Sequence, residues 1–175
     1  MKTFSFGCFF LALVFLASCD APQSKAPVAF NQRGIVFQHP GDWSVGEVEK
    51  EDSTAVSVTC EKDGLDDSGL ITISYFRDSL DLSQVQEVYQ QQLGSVSTHK
   101  LGGVKFTPPQ PGRLGPRETL QSTFTMSLLG VAHTGFLDAF SYKGHTVMVL
   151  RQQADEDSTK NRPGFALITQ TLDFK

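Results

Sequence analysis

Cysteine, positive charge and long apolar runs are all scarce in this chain. Three cysteines stand in 175 residues, Cys8, Cys19 and Cys60. Lysine and arginine number 15 against 19 aspartates and glutamates, a formal charge of -4. That balance argues against a surface built to neutralise nucleic-acid phosphates. The longest uncharged apolar run, roughly Phe4 to Ala17, falls short of the ~20 residues a membrane-spanning helix needs. Motifs of chemistry are missing too. His39, His99, His133 and His145 never stand at metal-ligand spacing, and there is no H-E-x-x-H, C-x-x-C, G-x-S-x-G or P-loop. No metal and no cofactor is expected.

What is present begins with that apolar run. Its length and position fit the apolar region of a secretory signal. It ends in Leu16, Ala17, Ser18 and Cys19, a branched apolar residue and two small ones before a cysteine. This resembles the lipobox of bacterial lipoproteins, and the resemblance implies cleavage between Ser18 and Cys19 with lipid on the Cys19 sulfur. Acyl chains contribute about 0.8 kcal/mol per buried methylene, so several of them hold a small domain on a membrane. The competing reading is a plain secretory signal with an incidental cysteine. Asp20, by resemblance to enterobacterial lipoproteins, implies retention at the inner membrane, facing the periplasm. The expected division is a signal over residues 1–18, an anchor and Pro-rich tether over 19–30, and one domain over 31–175. Loss of Lys2 takes the charge from -4 to -5.

Cys60 is then the one remaining thiol, so no intrachain disulfide can form. In Val56-Ser-Val-Thr-Cys60 it alternates with two valines, which places it on their buried face. GIVFQHPGDWSV, residues 34–45, reads as strand, turn and strand, with Trp43 packing over the corner. Two strand-like runs follow, STAVSVTCEKDG and GLITISYFRDS. In DLSQVQEVYQQQLGS, Leu82, Val85, Val88, Tyr89 and Leu93 share a helical face. Ser83 and Gln86 read as a capping box and Gly94 as the stop. RETLQSTFTMSLLG alternates as a strand, and strands 134–142 and 145–152 meet at Lys143-Gly144, a hairpin signal. The last element is a helix in NRPGFALITQTLDFK, with Pro163 in its first turn, an apolar stripe at Phe165, Ile168 and Leu172, and Asp155, Glu156 and Asp157 just upstream. Runs of strands with two helices predict an α+β fold with a mostly antiparallel sheet.

GIVFQHPGDWSV, the middle helix, the three-strand return and the terminal ALITQTLDF together resemble the PsbP/Mog-type domain, in particular its DcrB-like bacterial lipoproteins. The resemblance runs from about residue 34 to 174. It implies an antiparallel sheet with helices over its faces, and binding or assembly roles, with no catalytic residue to transfer. Proteins of that fold serve as photosystem subunits, small-GTPase binders and secretion chaperones, so the fold does not select a function.

Four features compete as sites. Ser97-Thr-His-Lys100 matches S-x-x-K, but Gly102-Gly103 follows and the companion motifs are missing, which makes it a chance match. Asp63, Asp66 and Asp67 crowd one loop, as calcium ligands do, yet three solvated aspartates in a turn explain them equally simply. Asp138 shares a strand face with Phe136, Phe140 and Tyr142; a sheet-edge or solvent-reaching carboxylate is the plain reading, a catalytic acid the sharper one. Leu101 to Glu118 carries four prolines, expected to forbid regular structure for about ten residues after Thr107, and its basic residues include Lys105, Arg113 and Arg117. That loop is either a connector or a surface for an acidic partner or lipid headgroups. Three functions follow: a membrane-tethered, non-catalytic module binding an envelope protein; a carrier for a lipid or other apolar ligand; or a periplasmic enzyme.

Overall fold

The computed structural model describes residues 25–46, 48–50, 54–64, 67–100 and 103–175, the side chains of 49, 50 and 96–100 aside. In chain order the elements are β1 (Val28–Gln32), β2 (Ile35–His39), β3 (Trp43–Val45), β4 (Glu49–Lys50), β5 (Ala55–Lys62), β6 (Leu70–Phe76), α1 (Leu82–Lys100), β7 (Lys105–Phe106), β8 (Gln110–Leu114), β9 (Arg117–Leu128), β10 (Val131–Tyr142), β11 (His145–Ala154), α2 (Ser158–Thr171) and β12 (Asp173–Phe174). A single 3-10 turn, Asp155–Asp157, leads into α2. The expected α+β class holds. The expected signal, the Ser18–Cys19 cleavage point and Asp20 lie outside the described residues.

The main sheet is antiparallel throughout, with strand order β3-β5-β6-β11-β10-β9-β7, β4 beside β5 and β8 beside β9. A small second sheet has the order β1-β2-β12. The chain changes sheets at Pro40–Asp42, between β2 and β3. β1 starts inside the stretch expected to be tether: Phe30 is buried and stacks on Phe37 at 4.7 Å. The ordered domain therefore begins before residue 31.

Strand alternation sorts side chains onto two faces. Val56, Val58, Cys60, Ile71, Ile73, Val147, Val149 and Phe140 pack with α2 and the small sheet, the larger core. Phe124, Met126, Leu137, Ala139, Met148 and Leu150 pack under α1, the smaller one. Complete burial of one such side chain contributes about 1.5–3 kcal/mol. Trp43 lies edge-on to Phe165 at 5.2 Å and covers Gly164, where a Cβ would come within 2.6 Å of the indole. Cys60 is buried as its alternation requires, and burial pushes its thiol up to about 12.

Each helix departs from its expected ends. α1 is capped by Asp81, whose Oδ1 accepts from the amides of Ser83 (2.9 Å) and Gln84 (3.0 Å); no Ser83–Gln86 box forms. It also runs past Gly94 to Lys100, carrying the S-x-x-K residues on its last turns. α2 starts at Ser158, so Pro163 lies beyond the first turn. Pro163 and Thr159 are both exposed, so the missing helical hydrogen bond falls on the outer side of the helix, where it costs least.

The proline-rich segment is structured. β8 pairs with β9, Pro111 opposite Leu120. Proline is tolerated there because β8 lies at the rim of the sheet. Gly112 permits the close approach: a Cβ would sit 2.6 Å from that of Gln121. Three tight turns hold non-glycine residues at positive φ, Arg33 (54°), Leu129 (51°) and Lys143 (50°), each followed by a glycine. A bulky residue in that region costs about 1–2 kcal/mol. No helix among the described residues is long and apolar enough to cross a membrane.

Candidate functional site

Helix α1 lies over β9, β10 and β11 and leaves the same face of β5 and β6 uncovered. The floor of the cleft so formed is a ladder of buried and half-buried hydroxyls. Ser57 stands opposite Ser74 and Thr59 opposite Thr72, and each pair shares a hydrogen bond, at 2.8 Å and 3.0 Å. The wall is the free flank of α1, with Gln84, Val85, Val88, Tyr89 and Gln92, closed by Phe76 and Leu80. The cleft measures about 530 Å³, within the range of small-ligand sites. Val88 is 49% exposed and Leu80 39%. The apolar stripe of α1 is thus wider than the core beneath it, and the surplus faces the cleft.

α1 is pinned by neutral amides. Gln86 is wholly buried; its Nε2 donates to the carbonyls of Leu120 (2.6 Å) and Leu137 (3.1 Å), and Ser122 donates to its Oε1. Gln90 donates to Ser122 Oγ at 2.9 Å.

On the opposite face a second cleft of about 370 Å³ lies between α2 and β10–β11, lined among others by Thr134, Phe136, Arg151, Gln153, Arg162 and Phe165. Behind it stands Asp138. Expected at an edge or reaching solvent, it is wholly buried. Its Oδ1 accepts from Thr119 (3.0 Å) and Gln121 (2.6 Å), and its Oδ2 from Arg151 Nη2 (2.6 Å). The Arg151 guanidinium also stacks 4.9 Å from the Phe136 ring centre. The strand order explains the burial: β10 runs between β9 and β11, and Asp138 faces inward from its middle.

The remaining expected sites disperse. Lys105 and Arg113 are exposed on β7 and β8. Arg117 turns inward: its Nη2 donates to the Leu172 carbonyl at 2.5 Å, lies 3.9 Å from Asp173, and its guanidinium sits over Phe140 and Tyr142. The three cations therefore form no common loop surface. Asp66 lies outside the described residues. Asp67 pairs with Lys160 at 2.7 Å and Lys62 at 3.4 Å, and the Lys160 bond holds its carboxyl below the usual range. Asp157 accepts from the Ser68 amide (3.0 Å) and hydroxyl (2.8 Å), which lowers its pKa likewise. No cluster of three metal-ligating residues occurs among the described residues. His39, beside Pro40 at the turn, is buried and donates to the Pro40 carbonyl at 2.9 Å.

No protein-family model and no curated protein matches the chain. Solved structures do. The solution structure of the cyanobacterial PsbP (CyanoP) of Synechocystis sp. PCC 6803 superposes with a TM-score of 0.58 at 9% identity, over 91% of this chain and 99% of that one. A Bacteroides thetaiotaomicron protein gives 0.53 at 12% identity, over 87% of this chain and 49% of its own. LpqN of Mycobacterium tuberculosis, described as involved in cell envelope biogenesis, gives 0.45 at 17% identity, over 85% and 90%. The first two show the fold, and the chain has a PsbP-like fold.

Proposed function

We propose that this protein is a membrane-tethered, non-catalytic envelope lipoprotein whose α1 cleft holds an apolar or amphipathic ligand. The cleft itself carries the reading. Its wall is Val85, Val88 and Tyr89 flanked by Gln84 and Gln92 and closed by Phe76 and Leu80, and its floor is four hydroxyls already paired with one another. Among its lining residues the phenol of Tyr89 is the one ionisable group, which leaves no acid–base pair to drive a reaction. Asp138, the residue that would support an enzyme, is enclosed by three donors and has no open side toward a substrate. The anchor is read from Leu16-Ala17-Ser18-Cys19.

Two experiments test the two halves. Intact-mass analysis of the membrane-extracted protein should find the chain starting at an acylated Cys19, and Cys19→Ser should release it into the soluble fraction. Calorimetric titration with palmitate as probe should show saturable binding, at least tenfold weaker in Val88→Asp with an unchanged melting temperature. A wild-type protein that takes up no palmitate and carries no apolar molecule in native mass spectrometry would falsify the ligand reading.

A further inference from the structure

Strand β10 begins and ends at turns of one type. At one end Leu129-Gly130 has φ values of 51° and 87°; at the other Lys143-Gly144 has 50° and 84°. Arg33-Gly34, between β1 and β2, repeats the geometry at 54° and 86°. Such turns favour Asn, Asp or Gly at the first position, which adopts positive φ. Two of the three turns place a long cation there, with its charge in water. The third places a leucine, 93% exposed. Val131 beside it is 39% exposed. From Thr119 to Leu137 no residue carries a formal charge. This tip has both a strained backbone and an uncovered apolar side chain, and neither serves the packing of the domain.

The location of the tip narrows what it meets. Arg33-Gly34 and Lys143-Gly144 belong to the same end of the molecule, where the Lys175 amide donates to the Gly34 carbonyl and Tyr142 donates to Asp173. Leu129 lies at the opposite end, the length of β10 away, ~40 Å for its 12 residues. That end is also where the described chain enters. Gly41 donates to the Lys25 carbonyl, Asp63 donates to the Asp42 carbonyl, and Gly64, Asp67, Ser68 and Gly69 line one shallow cleft with Leu128 and His133. Cys19, the proposed anchor, precedes Lys25 by six residues, so the tether meets the domain at Lys25, on the side of the leucine. The acids there are partly neutralised, Asp67 and Asp157 both contacting Lys160.

We propose that the Leu129-Gly130 tip inserts into the apolar margin of the bilayer to which the chain is tethered, fixing the domain's orientation on the membrane. The proposal rests on the lipoprotein reading above. A single leucine and its neighbour add little affinity, but a tether makes the contact intramolecular, and weak contacts then suffice. Because the chain is acidic, the contact is apolar: it forms on neutral phosphatidylcholine and survives high salt.

The test uses the lipidated full-length protein in phosphatidylcholine vesicles whose acyl chains carry bromine. Reporter tryptophans are introduced by Val131→Trp, Arg33→Trp and Lys143→Trp, with buried Trp43 as a constant background. Quenching at least twofold stronger at 131 than at 33 or 143 is expected, and Leu129→Asn should bring position 131 down to their level. Asparagine suits the turn, so the same substitution should raise the melting temperature by about 2 °C or more. A lipidated chain with 131 no more quenched than 33 overturns the tip alone, as does quenching indifferent to Leu129→Asn. A chain whose mass shows no acyl group and which stays out of the vesicle pellet removes anchor and tip together.

Discussion

The two faces of the main sheet solve one problem in opposite ways. One face is covered in part by α1, the other by α2 together with the small sheet. On the α1 side the polar contacts between helix and sheet are neutral: hydroxyl rungs on β5–β6, and the amides of Gln86 and Gln90 pinning a helix whose one charged contact is its own Asp81 cap. On the α2 side the corresponding work is done by charge: Asp138 with Arg151 beneath the cleft, and Asp67 and Asp157 tying the start of the helix to the sheet. Loss of one member of a neutral pair costs about 1–3 kcal/mol. Loss of one member of a buried ion pair costs more, because its survivor is left charged and unpartnered.

The comparison can be broken most severely at Asp138. Asp138→Ala should cost about 3–5 kcal/mol in urea unfolding, and combining it with Arg151→Met should recover much of that loss. An effect near zero would mean that the pair is dispensable and the contrast false. Next comes Arg117, which holds the C-terminal strand: Arg117→Ala should cost about 1–3 kcal/mol, while exposed Arg113→Ala should stay within about 0.5 kcal/mol. On the neutral side, Thr59→Val should cost about 1 kcal/mol, and adding Thr72→Val should cost less than a second such step, since both partners are then apolar. The smallest effect comes from acid. Asp67 and Asp157 have lowered folded-state pKa values, so their contribution is complete above the ordinary carboxylate pKa and is lost as pH falls through the depressed one. Hydrogen exchange near pH 3 and below should show the first turn of α2 losing protection while α1 keeps it; equal loss on both helices would remove the electrostatic contrast.

Much of this fold was legible in the chain. The alternation in β5, β6 and β9 and the Lys143-Gly144 turn gave the strands, because side-chain period and turn chemistry are local properties. Partners across strands were harder. Counting outward from Lys143-Gly144 pairs Tyr142 with His145 and Phe136 with Arg151, which sets Arg151 diagonally beside Asp138. That count would have exposed the buried pair; composition alone could not. Gln86 was misread because its spacing from Ser83 mimics a cap, whereas its role depends on β9 and β10, both far along the chain. The prolines after Thr107 misled because a proline is forbidden in a central strand but not in an edge one. Val88 shares the apolar face of α1 yet lines a cleft, since a helical stripe does not reveal how wide a floor lies beneath it.

The small sheet is closed by Asp173 and Phe174 pairing with Val36 and Ile35. The two partners come from opposite ends of the described chain, so this sheet can close only after every strand between them has been laid down in sequence. Contacts of such long sequence separation carry a large closure entropy, and the β2–β12 seam is therefore the joint expected to form last and open first.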